Sequence, residues 1–421
     1  MSDGQAVARF EAEVRRNLRW NSVVFLGYGL LGTTGWRLIM APTFVPDYLF
    51  RLGGSNLAVG LVLFAGGLGR FLSPLIGASY ATHRPYVKRS ALAIGAALRL
   101  QMLGMALAAL FLPVRLNLTV FVVFYCLFNL LIGVQSIVFG LLLAKVVPLS
   151  RRGRFLGVRD FAGGATAAGV ALLAADLLAR MTFPASYGLT YLVAFTFTAL
   201  GLACMSFLRE PRSPIAQPRR SVATLLAGMR AMLRADPAFA WYCAARGLGA
   251  LGLMAAPFLI IALGQEAGAG PADLAHASVA YFAAGTVGNL VWGQVADRAG
   301  FRTVFLSGAA LWLAALGVAL APAALAGGGV GLFLLVGAGQ GGIQMASLNL
   351  VYEFGDDGNL GVRLAVVNAL GELMVALAPL IGGAVADRWS YATLYAVAAA
   401  FTLLAAATMY LRVTPTGRLR T

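Results

Sequence analysis

The sequence predicts an all-α protein that crosses a lipid bilayer twelve times. Three observations carry this expectation: a composition too apolar for water, a series of twelve apolar runs, and arginines gathered in alternate connections. Of 421 residues, 60% are hydrophobic and 11% charged, with a mean hydropathy of +0.82. An ordinary soluble chain is roughly 45–50% apolar and about 25% charged. The buried fraction of a globule rises only slowly with size, so a soluble enzyme and a disordered chain are both excluded. Cys126, Cys204 and Cys243 all lie in apolar runs and build no disulfide framework. With only His83 and His276 beside them, no zinc-site spacing exists and no cofactor is expected.

The elements follow in order. Residues 1–17 are too polar for the apolar region of a signal peptide. Val7, Phe10, Val14 and Leu18 recur at helical spacing, with Arg9, Glu13, Arg15 and Arg16 elsewhere on the wheel, which predicts a helix lying on the membrane surface. Apolar runs occupy 20–46, 57–82, 90–112, 118–146, 156–180 and 187–208, then 238–264, 274–296, 303–325, 330–352, 362–386 and 391–412. About 20 residues suffice to cross roughly 30 Å of hydrocarbon. Between the two sets, 209–237 is a polar linker with Pro211, Pro214 and Pro218, ending in a second surface helix that aligns Val222, Leu225, Leu226, Met229 and Leu233. The expected organisation is a surface helix (1–17), a six-helix bundle (18–208), the linker (209–237), a second bundle (238–412) and a tail (413–421).

Orientation follows from the basic residues, because positively charged loops stay cytoplasmic. With both termini inside, the inner segments hold 24 of the 32 Lys and Arg, the outer loops hold four (Arg51, Arg115, Arg180, Arg388), and four lie within spans. A missed helix would swap every later loop. The net charge of +16 is therefore a record of topology rather than a nucleic-acid surface.

The two halves repeat one another. Leu156-Gly157-Val158-Arg159 opens span 5 and Leu360-Gly361-Val362-Arg363 opens span 11. Met40-Ala41-Pro42 in span 1 resembles Ala255-Ala256-Pro257 in span 7, and Gly77 in span 2 corresponds to Gly293 in span 8. Three matches in equivalent positions favour two pseudo-symmetric bundles of six.

At the inner end of span 8 stands Gly293-Gln-Val-Ala-Asp297-Arg298-Ala-Gly300-Phe-Arg302. It resembles the cytoplasmic loop signature of the major facilitator superfamily: glycine, three residues, Asp-Arg, any residue, Gly, then basic residues. Twelve spans, a central linker and Arg152-Gly153-Arg154 after span 4 extend the resemblance over the whole chain. It implies a secondary transporter in which substrate binds between two rocking bundles. It also implies a gating role for Gly293, Asp297, Arg298, Gly300 and Arg302, with Arg298 and Arg302 facing Glu353, Asp356 and Asp357; an ion-pair staple that only fixes topology is the competing reading. The first-half copy departs from the signature, with Ala81 in place of the aspartate and Arg84 in place of the glycine. Span 5 lacks the Gly-Pro signature, and span 4 the arginine, of the family's drug/proton antiporters.

The resemblance further implies that spans 1, 4, 7 and 10 line the central path. Ionisable groups in mid-span cost several kcal/mol and need a partner or a wet cavity. Arg37 in span 1 and Arg246 in span 7 are positioned to clasp a carboxylate or phosphate from opposite halves, as guanidinium does bidentately; internal pairing or snorkelling is the alternative for each. Glu372 in span 11, one turn after Asn368, is the candidate proton-coupling acid, against a structural pair with an arginine. Arg70 in span 2 serves equally as a gate or a core ion pair, and Arg99 in span 3 is expected to find a structural partner such as Asp160. Asp47 with Arg51, and Asp176 with Arg180, read as exposed i,i+4 pairs. Asn129 with Gly133 and Ser136 on span 4, Gln340 with Gln344 and Ser347 on span 10, and Asn289 with Tyr281, Gly285, Gly288 and Trp292 on span 8 form polar faces. These either line a cavity or glue helices together. Pro42, Pro46, Pro257 and Pro379 are expected to bend their helices.

The sequence thus predicts a secondary active transporter that moves a small organic solute, an anion if the arginines take part, across the cytoplasmic membrane by alternating access. Protons are the expected coupling ion, and the chain is expected to act as a monomer. A non-transporting receptor or membrane-protein assembly factor of the same fold is the alternative. No nucleotide-binding stretch supports a primary pump, and no catalytic constellation supports an enzyme.

Overall fold

A computed structural model describes residues 3–81, 86–147, 149–211, 230–321, 329–354 and 360–413. All regular structure among them is helical. Twelve helices are long and apolar enough to cross a membrane: Ala12–Met40, Asn56–Ser73, Lys88–Phe111, Val114–Leu143, Phe155–Arg180 and Ala185–Ser206, then Pro237–Glu266, Asp273–Ala299, Phe301–Ala319, Val330–Glu353, Val366–Arg388 and Tyr391–Arg412. They are numbered spans 1 to 12 in that order, and each coincides with one of the apolar runs. Lipid, not water, faces exposed apolar side chains such as Val23, Leu26 and Leu30 on span 1 or Val287 and Val291 on span 8.

The surface helix expected over 1–17 is not a separate element. Asp3–Gly32 is one helix, because no glycine or proline interrupts the chain between Gly4 and Gly27. Val14 is buried on its inner face while Arg15, Arg16 and Arg19 stay exposed. The surface helix expected in the linker falls largely on 212–229, outside the described residues; residues 230–235 are helical.

Spans 1 and 7 break at the matched triplets. Span 1 runs to Gly32, resumes as Thr34–Met40, and stops at Ala41-Pro42-Thr43 before a helix at Phe44–Gly53. Span 7 runs to Gly252, turns through a 3₁₀ segment at Leu253–Ala255, and resumes as Ala256–Glu266 with Pro257 in its first turn. Proline has no N–H and its ring collides with the carbonyl four residues back, so each break falls where the ladder cannot continue. Pro379 is carried inside the helix Leu360–Arg388.

Two compact units result. The first comprises Met1–Met40 and Leu68–Arg220; the second comprises Ala41–Gly67 and Ser221–Thr421. The start of span 2 therefore groups with the second half of the chain, although the sequence alone assigns it to the first bundle. In the first unit span 3 packs on spans 4 and 6, and span 1 on spans 5 and 6. In the second, span 9 packs on spans 10 and 12, and span 7 on spans 11 and 12. The same scheme, displaced by six helices, is the internal repeat expressed in packing.

The first unit is centred on Phe25, whose ring meets Phe139 and Phe155 edge-on at 5.4 and 5.3 Å between centroids. Spans 1 and 6 touch backbone to backbone: a Cβ on Gly201 would lie 2.3 Å from the Gly32 Cα. Beyond span 6, Glu210 accepts from the Val87 and Lys88 N–H groups at 2.7 and 2.8 Å and from Lys145 Nζ at 3.3 Å. It caps the start of span 3, where helix N–H groups have no internal partner.

Candidate functional site

In the first unit, small residues bring span 5 close enough to span 1 to deliver a carboxylate. A Cβ on Gly163 would lie 2.1 Å from Thr33 Oγ1, and one on Gly29 would strike Arg159. The approach sets Asp160 Oδ1 3.6 Å from Arg37 Nη2 and 2.6 Å from Arg159 Nη2. One carboxylate is thus shared by two guanidinium groups, which lie over the rings of Trp36 and Phe139. Asp160 serves Arg37 and not Arg99. Arg99 instead donates to the Thr198 and Gly95 carbonyls at 2.6 and 2.7 Å, because a helix carbonyl has a second lone pair to offer. Asp47 also departs from expectation: it pairs with Arg51 at 2.9 Å but is buried.

Arg70 donates through Nη1 to Asn129 Oδ1, and Asn129 Nδ2 donates to the Tyr125 carbonyl at 2.8 Å. Asn129 is wholly buried, whereas Ser136 on the same helix is exposed. The face expected to run from Asn129 to Ser136 is therefore divided between a core contact and an open surface.

In the second unit, Arg246 crosses from span 7 to span 11. Its guanidinium lies on Gly371, where a Cβ would come within 2.7 Å of Nε, and it reaches Asn368 Oδ1 at 3.5 Å from both terminal nitrogens. Arg246 is buried, and it makes no ion pair among the described residues. Glu372, half-buried, follows Gly371 in sequence and stands one turn beyond the exposed Asn368. A cation and an acid thus occupy the same stretch of span 11, with glycine making room for the cation.

Spans 8 and 10 are joined by part of their polar faces. Tyr281 donates to Gln340 Oε1 at 3.1 Å and Trp292 Nε1 to the Ala338 carbonyl at 2.9 Å. Gln340 is buried by this contact, while Asn289 and Gln344 are exposed. At the end of span 8, Gly293 is half-buried, Asp297 and Arg298 are exposed, and Gly300 takes φ +81, a left-handed conformation that glycine adopts freely. Arg302 turns to the Tyr410 carbonyl and lies over the Tyr410 ring. Glu353 accepts the Phe301 N–H, so its link to this loop includes the backbone. Asp356 and Asp357, like Ala81's successors 82–85, lie outside the described residues. No group of His, Cys, Asp or Glu among the described residues could hold a metal ion.

A family model described as the Major Facilitator Superfamily matches residues 243–421. The fold of the whole chain is that of solved transporters. A D-xylose–proton symporter superposes with a TM-score of 0.72 at 16% identity, over 94% of this chain and 98% of that one. A variant of the nucleoside transporter NupG gives 0.70 at 13%, over 93% and 99%, and the human organic anion transporter MFSD10 gives 0.65 at 16%, over 93% and 99%. No curated protein sequence matches the chain. The likeness to that superfamily is one of sequence over residues 243–421 and of fold over the whole chain. Its twelve long apolar helices make it a multi-pass membrane protein by fold and composition.

Two carboxylates were not singled out by sequence. Asp236 caps span 7 and pairs with Arg363 at 2.7 Å; its signal was an Asp-Pro start of a helix. Asp387 ends span 11, and its signal was a second Gly-x-Val-Ala-Asp-Arg, at 383–388, repeating 293–298.

Proposed function

We propose that this protein is a secondary transporter that moves a small organic anion across the cytoplasmic membrane by alternating access, coupled to protons and acting as a monomer. The observation that supports it is Arg246: a buried guanidinium of span 7 that reaches the neutral Asn368 amide at 3.5 Å, makes no ion pair among the described residues, and lies against the stretch of span 11 that carries Glu372. A buried charge is costly unless paired, and a solute carboxylate or phosphate supplies the missing charge in bidentate form. Arg37 contributes from span 1, its charge partly answered by Asp160. In the second unit Asn368, Gln344 and Asn289 present amides on exposed faces and Gln340 is buried; in the first unit Asn129 is buried. Glu372 is the proton-coupling acid of this reading, an ionisable group within a span whose surroundings alternate between wet and closed. Gly293, Asp297, Arg298, Gly300, Arg302 and Arg70 act in gating.

The test begins with a thermal-shift screen of anionic and neutral solutes on purified protein, followed by uptake of the stabilising solute into proteoliposomes under an imposed pH gradient. Glu372→Gln is expected to abolish gradient-driven accumulation while counterflow exchange survives. Unchanged accumulation would refute proton coupling through Glu372. Binding without any flux would favour a receptor of the same fold.

A further inference from the structure

The corner where the start of span 1 meets the end of span 6 is built around one tryptophan and one arginine. Trp20 Nε1 donates to the Phe207 carbonyl at 2.9 Å. Beside it the buried Asn21 holds both backbone groups of Arg209: Nδ2 donates to the carbonyl at 3.0 Å and Oδ1 accepts the N–H at 2.9 Å. These bonds fix the chain as it leaves span 6, and the Arg209 guanidinium lies over the Trp20 ring at 5.0 Å. A guanidinium stacked on a ring still turns its edge N–H groups outward, where they suit an oxyanion. Trp20 is nonetheless 46% exposed, the position of an aromatic ring at headgroup level.

Two more cations adjoin this pair. Arg16 and Arg19 are exposed on the same continuous helix. Arg16 stands one turn from Trp20, and Arg19 one turn from Val23. Arg19, Val23, Leu26 and Leu30 are spaced as one helix face, and the three apolar members are exposed to lipid. On span 6, Leu200, Cys204 and Phe207 form a second stripe in which Leu200 and Phe207 are exposed. The stripes adjoin at Gly27, one turn past Val23, where a Cβ would touch Cys204 Sγ at 3.6 Å. A seam floored by small residues and walled by apolar ones therefore runs away from a cluster of guanidinium groups. That is the order of a phospholipid, headgroup first and chains after.

No neighbouring acid answers the three cations. Glu210 is turned to Lys145 and the start of span 3. Glu13, Arg16, Arg19 and Arg209 make no ion pair among the described residues.

The internal repeat supplies a comparison. In the second unit Arg412, at the end of span 12, lies over Trp241, near the start of span 7, at 5.4 Å, and Trp241 is again exposed. The residues four and one before Trp241 are Pro237 and Ala240. The second corner thus keeps the stacked pair and lacks the equivalents of Arg16 and Arg19.

We propose that the corner of spans 1 and 6 is a binding site for an anionic phospholipid. Arg16, Arg19 and Arg209 hold its headgroup phosphate beside Trp20, and an acyl chain lies along the seam between the two spans. Arginine grips phosphate through paired N–H groups, and cations gathered at the membrane surface favour anionic over zwitterionic lipid. The lipid ties the first span to the chain that leaves the sixth.

Native mass spectrometry of the full chain tests this, after the protein is stripped of lipid in detergent and given equimolar phosphatidylglycerol and phosphatidylcholine. One retained phosphatidylglycerol is expected, in several-fold excess over phosphatidylcholine. Arg16→Gln together with Arg19→Gln should lower that adduct about tenfold, the scale of a lost charge-assisted hydrogen bond. Adding Arg209→Gln should bring it down to the phosphatidylcholine level, whereas Arg412→Gln at the second corner should leave it unchanged. Arg209→Gln alone should lower it several-fold, and serves if the multiple variants do not fold. Phosphatidylglycerol should also raise the thermal midpoint of the parent, and inorganic phosphate at the same concentration should not. An equal rise with inorganic phosphate would make this a site for the free ion and overturn the lipid assignment. Equal retention of the two lipids, or an adduct that survives all three substitutions, would overturn the site.

Discussion

Arg363 Nη1 lies 2.7 Å from Asp236 Oδ2, and its guanidinium stands over the Phe239 ring at 4.7 Å. Arg159, its counterpart in the repeated Leu-Gly-Val-Arg, likewise joins a carboxylate and lies over an aromatic ring. Asp236 also caps span 7 by accepting the Phe239 N–H at 3.0 Å. Partial burial pushes its carboxyl up, but the Phe239 N–H and Arg363 outweigh this and hold it below the usual carboxylate range. A folded value below the unfolded one means the stabilisation is complete above about pH 4 and is lost as pH falls through the folded value. Thermal midpoints measured from pH 7 to pH 3 should therefore drop less steeply at the acid end in Asp236→Asn than in the parent. Arg363→Ala should move the acid loss to higher pH. Identical acid limbs in parent and Asp236→Asn would contradict the assignment.

Arg246 and Arg37 should respond differently to removal. Arg37 is tied to Asp160, so Arg37→Ala leaves that carboxylate to Arg159 and lowers stability modestly. Arg246 makes no ion pair among the described residues, so Arg246→Ala removes an uncompensated buried charge and should leave the solute-free thermal midpoint unchanged or raised. The same variant should lose the thermal shift given by anionic solutes and keep that given by neutral ones. Arg246→Lys should restore only part of it, because an ammonium lacks the planar fork. A large fall in the solute-free midpoint would make Arg246 a structural residue instead.

The helices were legible because hydrocarbon thickness sets a length that composition alone reveals, and the arginine distribution fixed their number. The helix breaks at Pro42 and Pro257 were legible for a similarly local reason. Partner choice was not. Asp160 sits one residue from Arg159, yet its second arginine comes from span 1 through the close approach of Gly163 to Thr33, which no spacing in one helix discloses. Arg99 satisfied itself on carbonyls that every helix has and none advertises. The polar face on span 4 is divided because Asn129 meets Arg70, a contact made by the packing of two helices. Asp387 was written in the chain as a repeated hexapeptide, but its meaning depends on Ser55 and Asn56, more than three hundred residues away.

Gly371 tests whether the position of Arg246 matters for binding. A methyl group there would meet the guanidinium at 2.7 to 2.8 Å, and the guanidinium is the movable end of a flexible side chain. Replacing a helical glycine by alanine gains roughly 1 kcal/mol of helix propensity, so Gly371→Ala should keep or raise the thermal midpoint. Affinity for anionic solutes should fall about tenfold, the loss of one charge-assisted bond. Unchanged affinity, read by titration of the thermal shift, would separate Arg246 from the binding site.

Gly201 sets up the opposite balance. A Cβ at this position would lie 2.3 Å from both Cα and N of Gly32, which belong to the backbone of a helix and cannot swing away. Spans 1 and 6 must then part along a contact that also holds Gly35 against the Ala194 carbonyl. Overpacking of this kind costs about 1–3 kcal/mol, against the roughly 1 kcal/mol gained in propensity, so destabilisation wins. Gly201→Ala should lower the thermal midpoint by several degrees. Gly140→Ala, where nothing stands within 4 Å of the new methyl, should raise it slightly. If both variants moved the midpoint equally, propensity rather than backbone contact would govern these sites, and the close packing of spans 1 and 6 would lose its support.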